Sequence, residues 1–519
     1  MKIVTVKEMV ELERRCDKRG VPPSVLMENA GLAIAQQVNE WLGGAVGREI
    51  VVLVGPGNNG GDGLVAARHL HDWGARLNVY LCRRRKEDDS NYGIVVDRGI
   101  AVTVADDDKG FEALDKILAS CDVVIDAIFG TGKLRPLEGV IKDIITRVWA
   151  VKGHHHGPDV VAVDLPSGLD ADTGDADPVC LAADLTVTLG YPKVGLFSFP
   201  GRDLAGDLVV ADIGIPSDLA AGVATELITD NYVRTMLPAR SGGAHKGSFG
   251  KVLVCAGSIN YIGAAYLACE AAMRVGAGLV TLACARSLQP ILAAKLTEVT
   301  YAPLPESTPG FIGGGASKVL HERLIDYDVL LMGCGLSQHP EVQSFVMASL
   351  MEMPPSLSPA LVLDADALNA MSQTAHWWRM LERDAVLTPH PGEMKRLTRH
   401  PVGENCKDRL QVARGAAKEW RKTVVLKGAH TVVSSPDGSA MVSSSTNAGL
   451  ASAGTGDVLA GIIAGLLAQG LPYSAAAACG VYLQGAAGQM VREEMGDAGM
   501  VAGDLLPVLP RAIKNIKEG

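Results

Sequence analysis

The sequence predicts two α/β domains in tandem, the first a doubly wound parallel sheet. Three observations carry that prediction. The chain has 519 residues, more than one core ordinarily holds. Apolar runs of strand length alternate with helical patterns, and they do so in two separate series. Between the series lies a weaker stretch, 214–240, with Ile215-Pro216-Ser217-Asp218 and Leu237-Pro238. The boundary is placed there, giving domains over 1–225 and 232–515.

In the first series, helical patterns occupy about 5–19 and 24–40. Strand-like runs follow at 49–55, 76–82, 122–128, 159–165, 184–190 and 206–212. The second series opens on the strand "GKVLVCAGS" (250–258), then the helix "GAAYLACEAAMRVGAG" and the strand "LVTLAC". Further strands are predicted at 328–334, 360–366, 384–389 and 423–433. A last long helix opens at "GTGD", 454–457. Val458 to Val491 carries no charge, but Gly470-Leu471-Pro472 breaks it, so two buried helices are expected rather than a membrane span.

Composition narrows the function. Apolar residues make up 48% and charged ones 20%, which is globular rather than disordered. The net charge of −10, with no extended basic face, argues against a nucleic-acid partner. Ten cysteines without a C-x-x-C pair are expected to be free thiols in a reducing cytoplasm. "HHHG" (154–157) is read as a solvated loop. "RRRK" (83–86) is read as a solvated face, although its place at a strand's carboxyl end could bring it to a ligand phosphate.

Candidate chemistry in the first half begins at "VVLVGPGNNGGDGLVAARHL" (51–70). Gly55-Pro56-Gly57-Asn58-Asn59-Gly60 matches G-x-G-x-x-G between a strand and a helix. Its glycines permit positive φ and close backbone approach. An ordinary dinucleotide site would end the second strand on an acidic residue, yet "RLNVYLC" runs into arginines. Asp62, near the start of the helix, would compete with a pyrophosphate or act as a cap. "VVIDAIFGTG" ends a strand on Asp126, and "VVAVDLPSGLDADTG" ends another on Asp164 before Ser167. Parallel strands present their carboxyl ends to the ligand crevice. Asn, Asp and Ser oxygens there suit a hard cation or acid–base work, not zinc.

"SVLMENAG", "GPGNNGGDGLVAARHL", "DAIFGTGKLRPLEG" and "AVDLPSGLDADTG" together resemble the YjeF N-terminal domain, the NAD(P)H-hydrate epimerase family, over about 1–225. The resemblance implies a Rossmann-like fold. It implies substrate contacts from Asn58, Asn59, Gly60, Gly61 and Asp62, and from Gly130, Thr131, Gly132, Lys133, Leu134, Arg135 and Pro136. It further implies a K+ ion held by Asn59, Asp126 and Ser167, with Asp164 as the catalytic carboxylate and a substrate contact. Lys133 stands where the family more often has an apolar residue.

In the second half, "NAGLASAGTGDVLAGIIAGLLAQG" (447–470) places Gly454-Thr455-Gly456 at a helix start with Asp457 in the first turn. Such a terminus offers N–H groups to a phosphate, and the carboxylate beside it can take a hydroxyl proton. "AHKGSFGKVLVCAGS", "VLDADAL", "LTPHPGEMKRL" and "VLKGAHTVV" resemble the ribokinase-like YjeF C-terminal domain, the ADP-dependent (S)-NAD(P)H-hydrate dehydratase family, over about 238–515. The resemblance implies that Lys427, Gly428, Ala429, His430, Thr431 and Gly456 bind ADP. It implies that Ala264, Gly335, His390 and the catalytic Asp457 meet the hydrate, with Ala265 an equal alternative to Ala264. Mg2+ is expected with the nucleotide. Cys334 in "GCGL" replaces the usual proline, so that turn must form without it.

These motifs imply a cytoplasmic bifunctional repair enzyme. One half would exchange the R and S forms of hydrated NADH or NADPH, and the other would dehydrate the S form at the expense of ADP. A homo-oligomer with no membrane or nucleic-acid partner is expected. A vitamin-precursor kinase and a non-catalytic binding module are the competing readings.

Overall fold

β1 (Glu49–Val54) is buried on both faces, as a strand between two helical layers must be. Ile50, Val52 and Val54 pack with Leu12, Ile34 and Leu64 on one side. Val51 and Leu53 pack with Leu114, Ile144 and Val148 on the other. Six more parallel strands complete this sheet: β2 (Arg76–Leu81), β3 (Ala101–Val104), β4 (Val123–Ala127), β5 (Asp159–Val163), β6 (Leu185–Leu189) and β7 (Asp207–Ala211). The order is β3-β2-β1-β4-β5-β6-β7. The direction of winding reverses between β1 and β4, and in this Rossmann-like arrangement ligands bind beyond the strand ends at such a switch point.

The computed structural model of the chain describes every residue except 87, 132–135, 155, 156, 314 and 497. It divides into two units: Met1–Val223 with Glu404–Lys407, and Ala224–Gly403 with Asp408–Gly519. The second contains β8 (Thr225–Ile228), β9 (Lys251–Cys255), β10 (Leu279–Ala285) and β11 (Thr300–Leu304). A small antiparallel pair, β12 (Glu306–Thr308) and β13 (Phe311–Ile312), follows. Then come β14 (Val329–Met332), β15 (Ala360–Leu363), β16 (Ala385–Leu387), β17 (Thr423–Leu426), β18 (Val432–Ser434) and β19 (Ala440–Ser443). Ten of these form one sheet, ordered β11-β10-β9-β14-β15-β16-β17-β18-β19-β8. Its winding reverses between β9 and β14.

Two expectations are corrected. The run 423–433 is not one strand: β17 and β18 are antiparallel neighbours joined by a tight turn over 427–431. There the Thr431 hydroxyl donates to Gly428 O at 2.9 Å, closing the turn. Edge strands were also missed. β3 and β8 are four residues long and only partly buried, so their apolar signal is weak. β8 lies inside the stretch 214–240 and pairs with β19. The uncharged stretch forms two helices, Thr455–Ala468 and Tyr473–Met495, separated at Gly470 (φ +92°) and Pro472. Among the described residues no helix is long and apolar enough to cross a membrane.

Candidate active sites

The loop after β1 explains its glycines by proximity rather than by φ. None of Gly55, Gly57, Gly60, Gly61 or Gly63 adopts positive φ. A Cβ on Gly55 would lie 1.9 Å from Ile128 O, and one on Gly60 would lie 2.1 Å from Gly55 O. The glycines therefore press this loop onto the one after β4, side by side at the switch point. Arg85 of the basic run props the same loop, donating to Gly55 O at 2.8 Å and pairing with Asp89. Arg84 pairs with Asp107.

Asp126, at the end of β4, is completely buried. It accepts from the Ser167 hydroxyl (2.6 Å), from Ser167 N–H (2.8 Å) and from Ile128 N–H (3.2 Å). Burial still raises its carboxyl above the usual range, against those hydrogen bonds. Phe129 N–H donates to Ser167 Oγ at 3.0 Å. Asn59 is buried, and its Nδ2 has no hydrogen-bond partner among the described residues. Its Oδ1 lies 2.8 Å from where a Cβ on Gly130 would stand, and Asp164 Oδ2 lies 3.4 Å from the same point. The loops after β1, β4 and β5 thus converge.

Asp164 follows β5 in the left-handed region, with φ +67°. For a residue other than glycine this is a strained conformation that its surroundings must hold. Lys193 pairs with its Oδ1, and Thr188 Oγ1 and Leu189 N–H donate to the same oxygen at 3.2 and 3.1 Å. Lys193 is 1% exposed and also donates to Leu189 O at 3.0 Å. It went unmarked in the sequence, because a lysine after Tyr191-Pro192 carries no motif. Removing one member of a buried pair strands the other. Lys193→Met is therefore expected to lower unfolding stability by roughly 3 kcal/mol, measured by chemical denaturation.

A cavity of about 1060 Å³ opens over these groups. Asn58, Asn59, Asp62, Gly130, Thr131, Asp164 and Lys193 line it, with Met9 and Glu13 from the helix Val6–Lys18 and Leu26 and Met27 from the helix Pro23–Trp41. A capping box of Thr5 and Glu8 starts the first of these helices. Gly60 and Gly61 are buried behind the loop, against Gly55 and Met27. Pro136 is exposed. Gly132, Lys133, Leu134 and Arg135 lie outside the described residues. Asp62 is not a cap: Gly57 caps the helix Asn58–Asp72, and Asp62 lies one turn further in.

In the second unit, Gly454 (φ +91°) caps the helix Thr455–Ala468, and Asp457 is in its first turn. A Cβ on Gly456 would stand 3.3 Å from Lys427 Nζ. Lys427 pairs with Asp364 at 2.7 Å, and Asp364 also accepts from Thr388 Oγ1 at 2.7 Å. Burial opposes the lysine's charge, but Asp364 and Glu393 outweigh it and hold the ammonium above its usual value. Burial, then Asp364, pushes Asp457 up to about 7. Burial likewise pushes Glu393 up to about 7. Cys334, Asp364 and Asp457 each bring one donor atom within 4.8 Å of the others. Asp364, Glu393 and Thr388 were not among the predicted site residues. Asp364 obeys the same strand-end rule as Asp126 and Asp164, which would have found it.

The remaining predicted residues surround this cluster or its turn. His390 caps the helix Pro391–Thr398; its Nδ1 accepts Gly392 N–H at 3.0 Å, while Glu393 accepts its backbone N–H at 2.8 Å. Partial burial, then Lys427, lowers its pKa. Gly335 (φ +60°) abuts Ala264, whereas Ala265 is buried against Gly257. The turn at Cys334 forms without proline: Gly257 N–H donates to Cys334 O at 2.9 Å, and Ser258 Oγ donates to Gly335 O at 2.8 Å. Gly428 and Ala429 are exposed at the turn after β17. Thr431 is buried, and the imidazole of His430 is buried against Ser443 O at 2.9 Å.

Known proteins match both halves. A family model described as YjeF-related protein N-terminus matches residues 23–195, and one described as NAD(P)H-hydrate dehydratase matches 252–511. A bifunctional NAD(P)H-hydrate repair enzyme of Moorella thermoacetica is 43% identical over 532 residues, covering 100% of this chain and 98% of the relative. The chain belongs to the family of bifunctional NAD(P)H-hydrate repair enzymes. A second repair enzyme, from Thermofilum pendens, is 39% identical, covering 100% of this chain and 97% of its own. An ADP/ATP-dependent NAD(P)H-hydrate dehydratase of Bacillus subtilis, co-crystallised with ATP and Mg2+, is 32% identical over 56% of this chain and 98% of its own, with a TM-score of 0.48. The second unit holds the α/β domain that the NAD(P)H-hydrate dehydratase model matches. Membership also disfavours the kinase and scaffold readings, since the matched relatives join both repair domains in one chain.

Proposed function

We propose that Met1–Val223 carries the epimerase and Ala224–Gly519 the ADP-dependent dehydratase, each with its own acid–base carboxylate. The observation that carries this is the pairing of two separate strand-end sites. One is Asp164 with Lys193, above a 1060 Å³ cavity. The other is Asp457 with Lys427 and Asp364, at a helix N-terminus.

In the first unit, the cavity holds the hydrated nicotinamide nucleotide and Asp164 moves the proton at its C6 hydroxyl. A cation fits beside it. Asp126 is a fully buried carboxylate with no cationic side chain paired to it among the described residues. Asn59, Asp126 and Ser167 offer oxygen donors only. These three would hold K+, which when bound supplies countercharge to Asp126 and fixes the loops after β1, β4 and β5. Epimerase activity is therefore expected to need K+. Asp126→Asn should remove that dependence together with most of the activity, as read by titrating K+ against a bulky organic cation.

In the second unit, Lys427 and the helix N–H groups at Gly456 receive nucleotide phosphate. Asp457 takes the proton of the C6 hydroxyl, whose oxygen attacks the terminal phosphorus of ADP; the P–O bond to the rest of the nucleotide breaks and AMP leaves. Phosphate is then a competent leaving group: the C6–O bond breaks, the C5 proton is lost and the C5–C6 double bond returns. Ala264, Gly335 and His390 border the hydrate, and Gly428, Ala429, His430 and Thr431 shape the nucleotide turn. Mg2+ when bound neutralises the phosphates. The oxygen donors of Asp364 suit it, and the Cys334 thiol does not. Among the described residues the cysteines form no disulfide, which supports a reducing, cytoplasmic setting. A homo-oligomer completes the proposal, and light scattering on the purified chain checks it.

A further inference from the structure

Asp62 is a carboxyl of the first cavity that no partner explains. It sits one turn into the helix Asn58–Asp72, 8% exposed, and lines the cavity with Asp164, Glu13 and Lys193. Among the described residues nothing donates a hydrogen bond to it and no cation pairs with it. Lys193 is committed to Asp164, as are Thr188 Oγ1 and Leu189 N–H. On the helix Pro23–Trp41, packed against it, Glu28 is tied to Arg68 and His69. Arg85 is tied to Asp89.

Two carboxyls therefore share one cavity under opposite conditions. Asp164 has Lys193 paired to it and two hydrogen-bond donors on the same oxygen. Asp62 has enclosure and two negative neighbours: burial, then Asp164 and Glu13, push it well above the usual carboxylate range, with only Lys193 pulling the other way. A carboxyl whose protonated form is favoured by its surroundings is suited to donate a proton.

We propose that Asp62 is a second catalytic residue of the epimerase, the proton donor that works opposite Asp164. The proposal rests on the assignment of epimerisation to this unit. Asp62 gives its proton to the C6 hydroxyl of the hydrate. The C6–O bond breaks, its electron pair leaves on oxygen as water, and the N1 lone pair forms the C6=N1 iminium. Water then adds to C6 from the other face and its proton passes to Asp164. One water leaves and one returns, and exchange with solvent resets both carboxyls. In the opposite direction the two carboxyls exchange roles.

The test supplies pure R hydrate to the full chain without nucleotide and separates the epimers by chromatography, with the spontaneous rate subtracted. Asp62→Asn is expected to lower kcat by roughly 10²-fold or more with KM little changed, and Asp62→Glu to recover part of it. ADP-dependent dehydration of S hydrate by the same variants should match wild type. The wild-type rate should fall with rising pH, above the usual carboxylate range, as Asp62 loses its proton, and the residual Asp62→Asn rate should lack that limb. Near-wild-type kcat in Asp62→Asn, or a loss confined to KM, overturns the proposal. If Asp62→Asn misfolds, the wild-type profile decides: no decline with rising pH above the usual carboxylate range overturns it as well. A wild-type chain that does not epimerise at all overturns the assignment of the unit instead.

Discussion

Replacing Asp164 with asparagine is expected to cut exchange of the R and S hydrates by roughly 10²- to 10⁴-fold, the range of one lost acid–base group. Asparagine keeps the shape of the side chain and tolerates the left-handed backbone at φ +67° better than most residues. Binding of the hydrate should survive, because the cavity walls from Met9, Leu26, Met27 and Gly130 are untouched. The loss should therefore fall on kcat, read by separating the two epimers after incubation with R hydrate. Near-normal turnover in this variant would remove Asp164 from the chemistry. A rise in KM alone would make it a binding group.

Asp457→Asn is expected to stop nucleotide-dependent dehydration, again by 10²-fold or more, and to leave epimerisation at its wild-type rate. The pH profile gives an independent reading. Burial and Asp364 hold this carboxyl up to about 7. A general base works deprotonated, so the dehydratase rate should rise through neutrality and level off above it. It should fall as pH drops below about 7. Asp457→Asn should flatten that limb, as measured by the returning near-ultraviolet absorbance of the reduced nicotinamide. Loss of both activities in this variant would argue against two independent sites.

The sequence exposed what obeys periodicity or motif. β1, β4 and β5 are apolar runs, and their ends carry Asp126, Asp164 and the Asn58-Asn59 loop. Edge strands such as β3 and β8 escaped, because a short half-buried strand lacks that continuous run. Partner residues escaped for a different reason. Lys193 meets Asp164 across 29 residues, and Asp364 meets Lys427 across 63. No local pattern records such a meeting. The opening glycines were read as permitting both positive φ and close backbone approach, and only the second is what they provide. They allow two backbones to touch rather than permitting positive φ. Asp62 was read as a cap or a substrate contact. Only the cavity shows it as a buried carboxyl without a partner among the described residues.

The most direct test of the account follows reduced-nicotinamide absorbance with the full chain, given pure R or pure S hydrate, each with and without ADP. The account predicts recovery from S hydrate only when ADP is present. It predicts recovery from R hydrate with ADP as well, lost on that substrate alone when Asp164 becomes asparagine. Recovery from either hydrate without nucleotide, or from R hydrate at full rate in Asp164→Asn, would contradict it.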